Sequence, residues 1–305
     1  MPIPLLTVVT PSYNRAKLLP RLYDSLEAQS CHDFIWLVVD DGSTDGTSNM
    51  FNVENGMFNG RRPTFKVQYV RKENGGKHTA LNTAIDIVST ELLFIVDSDD
   101  VLTPDAIATI KEDWEKAQGS KLKVQCLCGI SYLRGYSIDK PIGDIFPKDY
   151  FIDSFSNVRV NQHVTGDKAE VWATKYLKEF RFPVFKGERF LVESWMWEQV
   201  SDLADMLFVN KVIYLTQYLQ GGLTQSGRKL RINNPHGGMV FCLLMMRKKY
   251  PMRDRLKNGL LYTAYSFFAH QNIIRTLNCK HPGLTAFCLP LGFMLYVYWN
   301  RKYNK

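Results

Sequence analysis

Over the first hundred positions, apolar residues arrive in short blocks, each followed by a polar stretch of turn-formers. "LLTVVT" (5–10) is a β-branched run closed by Pro11, which reads as a buried strand ending in a turn. Leu18, Leu19, Leu22 and Leu26 then recur at helical spacing, predicting a helix over 14–29 with Asn14 as its N-cap. "FIWLVVDDGSTDGT" predicts a second buried strand running into a loop, and "FKVQYVRK" a third strand. "ENGGKHTALNTAIDIV" reads as a helix opened by glycines, and "ELLFIVDSDD" as a fourth strand. Strands alternating with helices at this rhythm predict an α/β fold built on a doubly wound, mostly parallel sheet.

The polar ends of these strands change the picture. "LLFIVDSDDVLTP" (92–104) sets Asp97, Asp99 and Asp100 within four positions, directly after an apolar run. Buried together, ionised carboxylates lose hydration and repel one another, so such a stretch either turns out into water or holds a cation. In open parallel sheets, ligands bind outside the carboxyl ends of the strands. "TPSYNR", "DDGSTD" and "DSDD" follow the first, second and fourth strands and would meet on one edge. Oxygen ligands beside a nucleotide-sized crevice suit Mg²⁺ or Mn²⁺, hard cations held by one or two carboxylates plus substrate phosphates.

Composition is that of a globular protein: of 305 residues, 45% are hydrophobic and 22% charged, which argues against disorder. Cys31, Cys126, Cys128, Cys242, Cys279 and Cys288 lack a ligand-like spacing and are expected as buried free thiols. "MPIPLLTVVTPSYNR" has no basic stretch leading into a long apolar core, so no signal peptide is expected and a reducing cytoplasm fits.

The net charge of +8 is unevenly spread. Residues 228–305 hold fourteen Lys and Arg against one acid, Asp254, whereas residues 1–227 hold 24 basic and 29 acidic side chains. A basic terminal quarter points to a polyanion, either nucleic acid or an anionic membrane surface. Its charges are interleaved with "MVFCLLMM", "GLLYTAYSFFAH" and "GLTAFCLPLGFMLYVYW", an apolar density that favours lipid over phosphate backbone. The alternative is a helical subdomain with a solvated basic face. The last run, His281 to Asn300, has no charged residue but contains Pro282 and Pro290. With Tyr296, Tyr298 and Trp299 beside "RKYNK", it is expected as an interfacial or re-entrant segment in preference to a full span.

Taken in order, "VVTPSYNR", "LVVDDGSTDGT", "NGGKHTALN" and "LFIVDSDD" resemble the family 2 glycosyltransferases, inverting enzymes of GT-A fold that use nucleotide-sugar donors. The resemblance covers roughly residues 3–220, giving an expected catalytic domain over 1–220 and a helical, basic, membrane-associating region over 221–305. It implies that Pro11, Tyr13 and Arg15 line the nucleotide pocket, that Asp41 accepts from the base, usually uracil, and that Lys77 lies near base or diphosphate. Asp97-Ser98-Asp99 corresponds to the DxD motif, with Asp97 toward ribose and Asp99 on Mn²⁺ or Mg²⁺.

Inversion by single displacement also needs a base for the acceptor hydroxyl. In the family this is usually the Asp of a Glu-Asp pair. In "FKGERFLVESWMWEQV" Glu193 matches the first residue of that pair and Ser194 stands where Asp is expected. Serine has no basicity at neutral pH, which leaves Glu193 as the expected base and Glu188 or Glu198 as alternatives. Trp195 and Trp197 would desolvate such a carboxylate, stack on an acceptor sugar, or simply fill the core. "QYLQGGLTQSGRKLRINNPHGG" reads as a mobile loop closing over the diphosphate, with Arg228, Lys229 or Arg231 on phosphate, and with His236 either a metal ligand or merely exposed.

The expectation is therefore a metal-dependent inverting glycosyltransferase. It would use a UDP-sugar and a lipid-linked or saccharide acceptor in surface polysaccharide assembly, on the inner face of the membrane and without nucleic acid. A nucleotidyltransferase would carry a glycine- and basic-rich loop after the first strand, which "TPSYNR" is not. A non-catalytic nucleotide-sugar-binding relative is the other alternative, motivated by Ser194.

Overall fold

The computed structural model describes residues 3–52, 54–119, 127–216 and 223–303. The chain divides into two compact units: Met1–Arg181 with Gln199–Leu219, and Phe182–Glu198 with Gln220–Lys305.

The first unit is α/β. Strand β1 (Leu6–Ser12) leads through helix α1 (Leu19–Glu27) to β2 (Phe34–Asp40), and every residue of both strands is buried. A two-stranded ladder, β3 (Phe51–Asn52) and β4 (Met57–Phe58), precedes β5 (Lys66–Arg71). Helix α2 (Lys77–Ile87) returns the chain to β6 (Leu92–Ile95) on the far side of β1. Beyond it come β7 (Val101–Leu102), α3 (Ala106–Gly119), β8 (Leu127–Ser137), β9 (Lys140–Pro141), β10 (Phe151–Asp153), β11 (Lys168–Ala173), α4 (Thr174–Leu177) and β12 (Asp205–Leu215). The main sheet runs β10-β12-β8-β11-β6-β1-β2-β5. Neighbours from β6 to β5 are parallel, and β11 inserts antiparallel between β6 and β8. The chain leaves β1 toward β2 and comes back to β6, so the topological switch lies between β1 and β6, where such sheets open a ligand crevice.

Two expectations change here. Pro11 does not close the first strand: β1 continues through it to Ser12, opposite Asp40. Asn14 is not a helix cap, since α1 begins only at Leu19. Asn14 has a left-handed backbone (φ 54°), and its side-chain oxygen accepts the Thr44 amide at 2.8 Å. It joins the loop after β1 to the loop after β2. Within a largely aliphatic interior, an aromatic group packs around Trp36, whose ring meets Phe58 edge-on at 5.2 Å and whose Nε1 donates to Thr10 Oγ1 at 3.0 Å.

The second unit is helical: α5 (Ser194–Val200), α6 (Leu223–Ile232), α7 (Pro235–Met245), α8 (Met252–Phe268), α9 (Ile273–Leu277) and α10 (Pro282–Tyr303). The expected mobile loop is thus corrected over 223–238, which falls in α6 and the start of α7; residues 217–222 lie outside the described residues. Gly237 and Gly238 are packing glycines, not loop glycines. A Cβ on Gly237 would lie 2.6 Å from the Phe190 carbonyl oxygen, and one on Gly238 would lie 2.8 Å from the Tyr265 ring. Cys128, Cys242 and Cys288 are buried free thiols, whereas Cys31 and Cys279 are only half-buried; Cys126 lies outside the described residues.

Candidate active site

Three loops leave the carboxyl edge of the parallel strands, and hydrogen bonds tie them together. Asp40 ends β2 with no exposure; its carboxylate accepts the Ser43 amide at 2.8 Å and the Tyr69 hydroxyl at 2.5 Å. Asp41 accepts Lys72 Nζ at 2.7 Å, the Gly75 amide at 3.0 Å and the Gly76 amide at 2.7 Å, so both of its oxygens are engaged. This clasp requires glycine at two points. Gly76 has φ 92° immediately before α2, and Gly42 has φ 82° with space for a Cβ only 3.0 Å from the Asn74 amide nitrogen. Asp41 therefore sets the turn that launches Lys77.

Lys77 opens α2 and its ammonium lies 2.5 Å from Asp97 Oδ1, while Arg134 of β8 approaches Asp97 Oδ2 at 3.6 Å. Burial pushes the Asp97 carboxyl up, and the two cations outweigh it, holding it below the ordinary carboxylate range. The Asp97 amide donates to the Tyr214 hydroxyl at 2.9 Å, and that hydroxyl donates to Asp100 Oδ2 at 2.8 Å. The Arg134 guanidinium stacks over the Tyr214 ring at 4.0 Å and reaches Asp100 at 3.8 Å. Burial, reinforced by the negative charge of Asp97, pushes the Asp100 carboxyl up to about 6. Opposed charges and one tyrosine hydroxyl thus hold the strand-end carboxylates in place.

Around this cluster, Pro11 and Ser98 are buried and Arg15 is half-buried. Tyr13 is 45% exposed, the disposition of a ring left available for stacking. Lys77, Asp97, Asp100, Arg134 and Tyr214 come together through direct contacts. Asp41 joins them through the glycine turn. Asp99 is half-buried, and no hydrogen bond or ion pair to its carboxylate occurs among the described residues. No group of three or more His, Cys, Asp or Glu able to hold a metal occurs among the described residues. That excludes an all-protein cage there. It fits a cation held by a single carboxylate with phosphate oxygens completing the shell, the usual manner of binding Mg²⁺. Sequence reasoning missed Lys72, Arg134 and Tyr214. The one available signal was Arg134, a charge embedded in the strand-like run "ISYLRGYS".

In the helical unit the three candidate bases differ. Glu188 is buried and accepts the His236 amide at 2.8 Å, His236 Nδ1 at 2.7 Å and the Gly237 amide at 2.9 Å, capping the start of α7. Glu198 is 2% exposed and accepts the Tyr250 hydroxyl at 2.6 Å. Glu193 is half-buried, immediately before α5, where its carbonyl accepts the Met196 amide at 2.9 Å. Trp195 packs on Phe182 at 5.9 Å and Trp197 is buried, so Trp197 belongs to the core. His236 stacks on Phe185 at 5.4 Å. Arg228 lies over the Trp299 ring at 4.4 Å, while Lys229 and Arg231 are exposed.

The α/β sheet thus carries a carboxylate cluster at its switch point, the place where such sheets open a ligand crevice. Residues 7–124 match the family described as "Glycosyl transferase family 2". Over 209 residues it is 26% identical to the GalNAc(5)-diNAcBac-PP-undecaprenol beta-1,3-glucosyltransferase of Campylobacter jejuni, covering 61% of this chain and 64% of that protein. Over 114 residues it is 33% identical to a chondroitin synthase of Pasteurella multocida, covering 37% of this chain and 11% of that protein. The chain thus spans less than two thirds of the length of these relatives. In fold it is similar to S. aureus TarS in complex with UDP-GlcNAc (TM-score 0.60, 16% identity, 95% of this chain and 80% of that one). It is also similar to the mannosyltransferase PcManGT of Pyrobaculum calidifontis in complex with GDP-Man and Mn²⁺ (TM-score 0.56, 18% identity, 99% and 88%). These likenesses establish a GT-A-like fold.

Proposed function

We propose that the chain is a metal-dependent inverting glycosyltransferase that moves one sugar from a nucleoside-diphosphate sugar, preferentially a UDP-sugar, to a lipid-linked or saccharide acceptor in surface polysaccharide assembly. The observation that carries the reading is the strand-end cluster: Asp97 fixed by Lys77, Arg134 and Tyr214, with Asp99 beside it and not engaged by the fold. A carboxylate without a partner among the described residues, beside such a cluster, supports a place for a cation.

Each residue then has a task. Asp41 holds the glycine turn and takes a donor from the base, using lone-pair capacity beyond its three present bonds. Asp97, kept ionised by its cations, accepts from ribose hydroxyls. Tyr13 and Arg15 lie on the loop after β1, beside the same strand ends. Asp99 would hold Mn²⁺ or Mg²⁺, which when bound neutralises the charge developing on the diphosphate leaving group. Glu193 takes the proton of the acceptor hydroxyl as that oxygen bonds to the anomeric carbon and the carbon–phosphate oxygen bond breaks. Nucleoside diphosphate leaves with the electron pair, and the anomeric configuration inverts. Glu193 is favoured over Glu188 and Glu198 because its position matches the first residue of the family's Glu-Asp pair, whereas Glu188 caps α7 and Glu198 anchors Tyr250.

The C. jejuni relative is named for an undecaprenol-linked acceptor, which supports a lipid-linked acceptor here too. With the basic terminal quarter, it supports work at the inner face of the cell membrane. The test is a panel of nucleotide sugars scored by thermal stabilisation with Mn²⁺, since a ligand that binds only the folded state raises the midpoint. A UDP-sugar should give the largest shift. No shift with any donor would reject the reading.

A further inference from the structure

Helix α10 has two faces of different character. One packs on α8 from Cys288 to Trp299. A Cβ on Gly292 would lie 1.8 Å from Thr263 Oγ1, and one on Gly259 would lie 2.8 Å from Cys288 Sγ, so each glycine admits a side chain of the partner helix. Further along, Tyr296 meets Phe268 edge-on at 4.7 Å and Trp299 packs on Tyr265 at 6.1 Å. The other face carries Phe287, Leu291, Met294 and Tyr298, which are 69%, 53%, 58% and 57% exposed. Their spacing of four, three and four places them in one stripe along the helix. On the neighbouring α9, Ile274 is 82% exposed.

By length and composition α10 is able to cross a membrane, with 22 residues from Pro282 to Tyr303. Its packing argues otherwise. A spanning helix is surrounded by lipid or by other apolar helices, whereas the partner here, α8, begins "MRDRLKN" and cannot follow it into hydrocarbon. Crossing would strip α10 from the close Gly259 and Gly292 contacts. Lying in the interface keeps them and buries the free stripe.

Charge identifies the surface. From residue 255 to the end there is no Asp or Glu, and Arg275, Lys280, Arg301 and Lys302 flank the stripe on exposed positions. An apolar stripe bordered only by cations is complementary to anionic headgroups over acyl chains. We propose that α10 lies in the plane of an anionic lipid surface, inserting Phe287, Leu291, Met294 and Tyr298 while the adjacent face, about 100° round the helix, stays on α8. This deepens the reading of a membrane-held acceptor given above.

The test uses the full chain with phosphatidylcholine vesicles, with and without phosphatidylglycerol, and the double variant Leu291→Glu/Met294→Glu. Both side chains are more than half exposed, so far-UV circular dichroism, thermal midpoint and UDP binding should stay as in the unaltered chain. Partition onto anionic vesicles should fall at least about tenfold, and partition of the unaltered chain should weaken with salt. The proposal is overturned if the variant partitions like the unaltered chain or if anionic lipid makes no difference. Resistance to extraction by alkaline carbonate would also overturn it, by showing a span. So would a solution dimer that the variant dissociates while neither form binds vesicles. Vesicle binding without any UDP binding would sink the glycosyltransferase reading and leave the lipid face standing.

Discussion

The α/β unit buries charged side chains at its strand ends and pairs them, while the helical unit, which buries and pairs Glu188 and Glu198, leaves a stripe of large apolar side chains exposed along α10. Asp40, Asp41 and Asp100 are at most 5% exposed, yet each accepts at least one hydrogen bond at 2.8 Å or less. Lys168, 2% exposed, donates to the Thr165 carbonyl oxygen at 2.7 Å. Burying such groups is unfavourable unless they are paired, so the α/β unit tolerates them only where geometry is fixed. Fixed charge at the end of a parallel strand is what a charged donor molecule requires. The helical unit holds a single acid after residue 227 and leaves Phe287, Leu291 and Met294 in solvent, a surface suited to a broad, fluid partner. On the proposed reading, the two units would divide recognition into a precise polar part and a diffuse apolar part.

The contrast is most exposed to failure at Asp99. Asp99→Asn removes the one anionic ligand the strand end offers and should lower transfer by about 10³-fold, as several kcal/mol of charge stabilisation are lost. The fold should persist, because no contact among the described residues depends on that carboxylate, and EDTA should silence the unaltered enzyme. Full activity in chelator would remove the metal assignment. Next comes Glu193→Gln, which should cost roughly 10²–10⁴-fold in rate with UDP affinity unchanged. Glu188→Gln and Glu198→Gln should instead lower the thermal midpoint, since they cap α7 and anchor Tyr250. A dead Glu188→Gln or Glu198→Gln beside an active Glu193→Gln would show that the wrong carboxylate was chosen.

Lys168 sharpens the contrast through pH. Burial, with the nearby positive charge of Arg159, pushes its ammonium down to about 8 from 10.5. Between those values the unfolded chain keeps the proton and the folded chain releases it. Stability from this group is therefore present above 10.5, declines as pH falls, and is lost below 8. The whole window amounts to roughly 3 kcal/mol. Lys168→Met should flatten the rise in denaturation free energy from pH 8 upward; an unchanged slope would mean that the amine is not titrating there. The smallest effect is expected at Tyr214→Phe, which deletes the hydroxyl between the Asp97 amide and the Asp100 carboxylate. Loss of that bridge should cost about 1–2 kcal/mol of stability, with a severalfold weaker UDP affinity. Stability that falls without any change in UDP affinity would make the bridge purely structural.

The parallel strands were legible because each is a β-branched or aromatic run ending in turn residues, and Lys77, Asp97 and Asp99 could be named from their loops. Arg134 and Tyr214 could not, because their partners are remote: the Tyr214 bonds span 117 and 114 positions in sequence. Asn14 was misread because a polar residue before an apolar periodicity looks like a cap, when its actual partner, Thr44, belongs to another loop. "NPHGG" was misread for a related reason. Glycines ordinarily signal loops, and only the packed structure reveals that Gly237 and Gly238 make room for Phe190 and Tyr265. Local pattern reports strands and turns well, and close packing or long-range pairing poorly.

The most direct test of the account is calorimetric titration of UDP into the full chain with Mn²⁺, repeated in EDTA and with Asp99→Asn. The account predicts saturable one-site binding with Mn²⁺, weakened at least about tenfold in both other cases, about 1.4 kcal/mol or more. Equal affinity in all three would contradict it.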